Sequence, residues 1–285
     1  MSGQVPERSE PGPGAIAPLS GAARDAAEAA AAALAPARSI LFVTGAGISA
    51  DSGLPTYRGV AGLYEREATP DGMAIEEALS GPMMRRRPEI VWRYVGEVVR
   101  ACRGARPNRA HAVIAELEQS GRRVCVLTQN VDGLHLAAGS RDVIEIHGTV
   151  ARRRCMDCTH VWPAPGADDG APSGDDGGAA VPRCPACGGV ARPDVVLFGE
   201  RLPDGALDAL DRALRLGFDA VVVVGTSAAF PYVQLPVIEA ARAGATTVEI
   251  NPERTVLSDV VGHHVAAGAA AALHAMGGVL APSRP

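Results

Sequence analysis

Apolar positions along this chain fall into two rhythms. Short unbroken apolar runs rich in β-formers occur at Ser39–Thr44 (SILFVT), Arg123–Thr128, 143–146, Ala220–Val224 and Thr246–Ile250. A run that does not alternate with polar residues reads as a strand covered on both faces. Helical patterns separate most of these runs, as at 110–119, where Val113, Ile114 and Leu117 share one face. An alanine-rich helix is expected over 22–35 from intrinsic propensity, stopped by Pro36. Strand, helix and strand at this spacing predict an α/β fold built on a parallel sheet.

Two segments break the rhythm. Residues 60–107 contain helical patterns and no convincing strand, and 152–192 holds two cysteine pairs. Between those pairs, 163–182 is almost all Ala, Gly, Pro, Asp and Ser, a composition that cannot form a core and predicts a mobile loop. The two insertions are expected to build a smaller zinc-binding domain on a sheet domain made of 20–59, 108–151 and 193–281. Residues 1–18, rich in Pro, Gly and charge, are expected to be a disordered tail.

Composition narrows the function classes. At 285 residues the chain has room for about two domains, and 47% hydrophobic with 21% charged residues describes an ordinary globular protein. Its 27 cations against 32 acids leave a net charge of −5, so no global basic field draws it to nucleic acid. All the cations are arginine, so no lysine side chain of its own is open to acylation. No window reaches the roughly 18 uninterrupted apolar residues of a membrane span, and the first residues lack the apolar core of a secretory signal. With paired cysteines in a chain this long, a reducing, cytoplasmic setting is expected.

Several motifs carry chemistry. Gly45-Ala46-Gly47-Ile48-Ser49-Ala50 satisfies G-x-G-x-x-G/A after a strand, where backbone N–H groups and a helix N-terminus approach a pyrophosphate. The dehydrogenase version expects a second strand ending in an acid about 20 residues on. Glu65 and Glu67 stand at that distance with no strand before them, so a ligand-free turn stays open. Cys155, Cys158, Cys184 and Cys187 form two C-x-x-C pairs, the ligand set of a closed tetrahedral zinc site. Cys102 and Cys125 read as buried, inert thiols. His147, after the run 143–146, is either a core histidine or a base. Gln129-Asn130-Val131-Asp132, Gly225-Thr226-Ser227 and Asn251-Pro252-Glu253 each follow a strand as well. Any one cluster could be turn formers, but all lie on the carboxyl edge where open α/β sheets bind ligands.

Taken in order, GAGISADSGLPTYRG (45–59), TQNVDGLH (128–135), IHG (146–148), both C-x-x-C pairs, PDVVLFGE (193–200), GTS and NPE resemble the sirtuin family of NAD-dependent protein deacylases. The likeness runs from about residue 39 to about 273. It implies a Rossmann-like parallel sheet domain with a smaller zinc-binding domain built from two insertions, NAD as a consumed co-substrate, one structural zinc ion, and a cleft between the domains that admits acyl-lysine proteins. Under the resemblance, Ala46 and Gly47 approach the NAD phosphates, with Gly45 and Ser49 in the same loop and Asp51 holding it. Tyr57 and Arg58 border the nicotinamide side, and Tyr57 departs from the family's usual Phe. Gln129, Asn130, Val131 and Asp132 face the nicotinamide and its ribose, Asn130 and Asp132 counting with His147 as catalytic. Gly225, Thr226, Ser227, Asn251, Pro252 and Glu253 serve the adenosine half. Ala269 follows, without the family's usual Gly-Pro before it. His147 matches the general base, and Val196, Phe198, Gly199 and Glu200 the segment that pairs with substrate backbone.

The resemblance also leaves alternatives. A mono-ADP-ribosyltransferase would use the same cleft, and a silent NAD-binding module would share every motif. A monomer without nucleic-acid or membrane partners is expected. Asp168, Asp169, Asp175 and Asp176 read as a solvated charge run. Sirtuins that prefer succinyl-lysine resemble one another in a Tyr-x-x-Arg pair on the helical insertion. Here one register puts Val95 and Val98 at the two positions and the other Tyr94 and Glu97, so neutral acyl groups are expected to be preferred.

Overall fold

The computed structural model describes residues 16, 18–55, 69–102, 104–164 and 181–280. The chain opens with α1 (Gly21–Leu34), whose first turn is capped by the Ser20 hydroxyl. Alanines at 23, 27, 30 and 31 give α1 a low face that lies close on the sheet. After β1 (Ser39–Thr44) come two 3-10 turns, Ala46–Ile48 and Ala50–Ser52, where the glycine motif predicts the start of an α-helix. The helical insertion supplies α2 (Ile75–Ala78), α3 (Gly81–Arg86) and α4 (Pro88–Cys102). Next are α5 (Arg109–Gln119), β2 (Arg123–Thr128), α6 (Leu134–Ala137) and β3 (Val143–Glu145). The cysteine segment carries β4 (Gly148–Cys155), β5 (Val161–Pro163) and β6 (Ala191–Val195). The chain then returns through α7 (Asp204–Arg215), β7 (Ala220–Val224), α8 (Pro231–Arg242), β8 (Thr246–Ile250), β9 (His263–Val265) and α9 (Ala269–Leu280).

The main sheet runs β3-β2-β1-β7-β8-β9 with every pair parallel. Phe42 lies in register with Val126 on one side and Val222 on the other. Alternate residues point to opposite faces. Ile40, Phe42, Val222 and Val248 pack under α1, α5 and α9, while Leu41, Val43, Val221 and Val223 pack under α7 and α8. Helices on both faces explain why the strands read as unbroken apolar runs. The strand order reverses between β1 and β7, the switch point where α/β sheets leave a crevice at their carboxyl ends.

A second, antiparallel sheet runs β5-β4-β6. It spans Gly148 to Val195, a few residues beyond the 152–192 expected, because β4 and β6 extend from the cysteines back to the main sheet. The helical insertion packs on it: Ile90, Tyr94 and Val95 cluster with Leu197, and Met156, Val190 and Val195 lie against them. Trp92 Nε1–H donates to the Ala191 carbonyl at 2.9 Å. The two insertions thus share one core.

Candidate active site

The crevice is lined by loops that leave β1, β2, β3, β7 and β8. At its centre the β1 and β7 loops touch backbone to backbone. A Cβ on Gly47 would lie 2.6 Å from Gly225 Cα, and one on Gly45 would lie 2.7 Å from Thr226 Cβ. Gly225 itself holds a left-handed φ of 59°. The glycine spacing therefore serves loop-on-loop packing as well as any approach to a phosphate. Gly47 N–H donates to the Gly225 carbonyl at 2.8 Å. Asp51 accepts from Ala270 N–H at 3.2 Å, which ties the loop to the first turn of α9.

The polar residues at the strand ends form two hydrogen-bonded clusters. Gln129 Nε2 donates to Thr226 Oγ1 at 2.8 Å, and Asn251 Nδ2 to the Thr226 carbonyl at 2.9 Å. Asn130 Nδ2 reaches the Gly45 carbonyl and Ser49 Oγ, both at 3.1 Å. The Ser49 hydroxyl in turn donates to Asp132 at 2.7 Å, whose other oxygen accepts from Leu134 N–H at 2.9 Å. The Val131 carbonyl accepts from Val150 N–H at 3.0 Å and fixes the start of β4. Ala46 is half-buried, while Ser227, Pro252 and Glu253 are exposed at the rim. Ala269 is separate: its side chain is buried in the core under α9. Tyr57, Arg58, Glu65, Glu67 and the four aspartates of the cysteine loop lie outside the described residues.

His147 lies in the two-residue turn between β3 and β4. Gly148 has φ 77°, and a Cβ there would stand 2.1 Å from the Asp194 carbonyl oxygen, so only glycine lets the chain turn from His147 into β4. His147 Nδ1 lies 2.9 Å from the Gln129 carbonyl, which can only accept, so Nδ1 carries the proton. That leaves the lone pair of the neutral ring on Nε2, 2.7 Å from the Tyr232 hydroxyl. Burial lowers the ring below the ordinary imidazole value, and the Gln129 carbonyl partly opposes that shift.

The segment after β6 hangs from the histidine. Val196 N–H donates to the His147 carbonyl at 2.8 Å, Phe198 N–H to the Leu79 carbonyl at 2.9 Å, and Gly81 N–H to the Phe198 carbonyl at 3.0 Å. Phe198 and Gly199 are exposed. Glu200 is held from within: Arg192 grips it in a bidentate pair at 2.6 and 2.7 Å, and Leu197 N–H donates to it at 3.0 Å. Burial raises this carboxyl, but the guanidinium and the N–H outweigh it and hold it below its ordinary value.

At the far end of β4 the four thiols of Cys155, Cys158, Cys184 and Cys187 lie within 4.8 Å of one another. The Cys155–Cys187 and Cys158–Cys184 sulfurs are 3.5 and 3.8 Å apart. Four sulfurs tetrahedral about one zinc at about 2.3 Å stand about 3.8 Å apart, so the set fits the ion. Asp157 Oδ2 accepts from Val190 N–H at 3.1 Å and joins the two knuckles. Cys125 is buried as expected, whereas Cys102 is half-buried, because it closes α4 at the edge of its core. Burial pushes both thiols up to about 12, so they stay protonated and unreactive.

A family model described as the Sir2 family matches residues 45–231. The chain belongs to the Sir2 family. It is 52% identical over 231 residues to NAD-dependent protein deacylase 2 of Pseudomonas aeruginosa, covering 80% of this chain and 87% of that protein. Among solved structures, a mutant Sir2 homologue complexed with ADP-ribose superposes at a TM-score of 0.77 with 34% identity, over 89% of this chain and 96% of that one. A Sir2 mutant with a deacetylated p53 peptide and 3′-O-acetyl ADP-ribose superposes at 0.73 with 30% identity, over 86% and 94%.

Some residues that shape this Sir2 site escape a reading of the sequence. Tyr232 is the main one, its only signal being the Phe230-Pro231-Tyr232 triplet past the GTS cluster. Asn108 caps α5 and also donates to the Ile48 carbonyl at 2.7 Å and to Ser52 at 3.0 Å, bracing the β1 loop. Glu249 is fully buried and accepts from the Thr255 and Ser258 hydroxyls, which anchors the loop after β8. His111 and His135 stack edge-on at 4.9 Å behind the β1 loop. Burial holds them neutral, at about 4 and about 3.

Proposed function

We propose that this Sir2 protein is an NAD-dependent protein-lysine deacylase that yields nicotinamide, O-acyl-ADP-ribose and free lysine. The observation that carries this reading is His147: a neutral imidazole, oriented by a carbonyl on Nδ1, whose own carbonyl holds the segment assigned to substrate. Nicotinamide leaves as the acyl oxygen takes its place on the ribose. His147 Nε2 then accepts the proton of a ribose hydroxyl as that hydroxyl attacks the acyl carbon. Water then adds, and the acyl C–N bond breaks to release the lysine amine with the acyl group left on the ribose. Gln129, Asn130 and Asp132 hold the nicotinamide ribose, and the β1 loop from Gly45 to Asp51 takes the phosphates. Ser227, Asn251 and Glu253 face the adenosine half. Val196, Phe198 and Gly199 pair with the peptide, and Glu200 sets their path through Arg192. Zinc, when bound, supplies folding energy and no chemistry, since four cysteines close its coordination. Among the described residues no helix is long and apolar enough to cross a membrane. A cytoplasmic monomer suits the thiolate site and the net charge of −5. Incubation with NAD and an acetyl-lysine peptide checks the reaction: nicotinamide and O-acetyl-ADP-ribose should form in equal amounts. Radiolabel transferred from NAD to protein without deacylation overturns it in favour of ADP-ribosyl transfer.

Acyl preference follows from α4. A carboxylate entering an apolar channel costs several kcal/mol unless a fixed cation meets it. Val95 is buried, and the Tyr94 hydroxyl donates to Asp71 at 2.6 Å. Arg93 is spent on the same carboxylate at 2.6 and 2.7 Å, and Arg100 is exposed. Neither register therefore places a cation at the two positions, and Arg93 and Arg100 would have to rearrange to meet a succinyl group. We expect kcat/KM for acetyl-lysine to exceed that for succinyl-lysine by about tenfold or more, a decade being about 1.4 kcal/mol. One peptide carrying each acyl group in turn decides it, and a succinyl preference would place the cation elsewhere.

A further inference from the structure

The lone pair that His147 needs for proton transfer is already in use. Nδ1 is committed to the Gln129 carbonyl, so Nε2 can only accept, and the hydroxyl that donates to it is Tyr232 at 2.7 Å. Burial pushes the Tyr232 phenol well above its ordinary value, so it stays neutral and keeps its proton to donate. The contact is built rather than incidental. Pro231 opens α8 and fixes the backbone just before Tyr232. Phe230 stacks on the Tyr232 ring at 5.4 Å and 9°, and the two rings meet the imidazole edge-on at 6.5 and 5.8 Å. The loop that aims them is pinned by Ala228, whose N–H donates to Thr226 at 3.2 Å and whose carbonyl accepts from Gln234 at 2.7 Å. Ala228 has φ 52°, the only left-handed non-glycine among the described residues.

We propose that Tyr232 is a positioning residue that caps the Nε2 lone pair of His147 at rest and gives it up when the NAD ribose hydroxyl takes its place. One lone pair accepts one proton, so phenol and ribose cannot hold it together. Productive binding therefore breaks a hydrogen bond that the resting enzyme makes, and the cap weakens binding without slowing the step that follows its release. It also keeps the base from bonding water until the ribose arrives. The proposal rests on His147 being the base, which the test separates from the cap.

Tyr232→Phe removes one oxygen and keeps the ring on Phe230. With acetyl-lysine peptide saturating and NAD varied, kcat/KM for NAD should rise about threefold to tenfold, equivalent to about 0.7–1.4 kcal/mol. The rise should come from a lower KM, with kcat within about twofold of wild type. An unchanged or lower kcat/KM overturns the cap, and a fall in kcat with KM unmoved would make Tyr232 part of the proton relay instead. Nitrogen-15 spectra of labelled histidine give a second readout that needs no substitution. In the wild type the His147 Nε2 resonance should shift when NAD and a non-hydrolysable acyl-lysine peptide are added together; a resonance that does not move overturns the cap. His147→Ala is run alongside. Retained deacylation in that variant defeats the base reading, whereas an inactive His147→Ala beside a wild-type-like Tyr232→Phe defeats the cap alone.

Discussion

His147→Ala should lower deacylation by about two to four orders of magnitude while NAD still binds and the fold survives. The substitution removes the imidazole whose Nε2 lone pair is oriented by the Gln129 carbonyl on Nδ1. The Gln129 carbonyl holds Nδ1 and burial lowers the ring, so wild-type His147 is deprotonated at pH 7 without help from a neighbouring acid. Because the shift is downward, activity that depends on the neutral ring is present at neutral pH and is lost on acidification, below the ordinary imidazole value of about 6.5. NAD should still bind because the residues proposed to hold it, Gln129, Asn130, Ser49, Asp132 and Thr226, bond to one another and meet the imidazole only through the Gln129 backbone. Truncation leaves the Tyr232 hydroxyl without its acceptor, a loss of about 1–3 kcal/mol that water entry reduces at this half-buried site. The measurements are kcat/KM on an acetyl-lysine peptide, NAD titration by calorimetry, and thermal melting of both proteins. A variant that still deacylates within tenfold of wild type would assign the base elsewhere.

What could be read from the sequence follows from how local each signal is. β1, β2, β7 and β8 are legible because each is a β-rich run covered on both faces, and their polar ends are legible because a parallel sheet gathers its loops on one edge. The four cysteines are legible because a closed zinc site fixes ligand type and spacing together. β9 is not. His263–Val265 has only three residues, two of them histidines, and becomes a strand by pairing with β8 at the sheet edge. The 3-10 turns after β1 escape for a related reason. Glycine spacing reads as a phosphate loop leading into a helix, while the turns depend on contact with Gly225, far along the chain. Tyr232 belongs to the same class. Its neighbours in sequence give no hint of His147, and the contact exists only because α8 begins on the side of the sheet where β3 ends. Long-range juxtaposition, rather than weak propensity, marks the limit of what sequence alone carries here.

The same logic sets the expectation for the metal site. Cys155→Ala should release zinc, lower the melting temperature and reduce deacylation, even though the cysteines take no part in the chemistry. Cys155 and Cys184 are buried, so the substitution leaves three cysteines that cannot close a tetrahedral site and opens a gap where the fourth sulfur packs. Metal binding is part of the folding free energy of such sites, of order 10–16 kcal/mol in isolated zinc-finger peptides. In this chain the main sheet has a core of its own, so the loss falls on the small sheet and the helical insertion packed on it. Activity suffers because the strands that carry the cysteines also carry the site. β4 runs from Gly148, next to His147, to Cys155, and β6 ends at Val195, next to the residue that donates to the His147 carbonyl. Loosening the knuckles should therefore free the segment after Val195, proposed to pair with substrate, at its other end. Cys102→Ala is the matched control and should leave zinc content unchanged, since that thiol lies on α4 outside the cluster. Metal content by atomic emission, with melting and kcat/KM on the same samples, decides the case. A wild type without metal and a Cys155→Ala variant of full stability would together defeat the zinc reading. Zinc lost with His147-dependent activity intact would show instead that β4 and β6 hold the segment after Val195 without it.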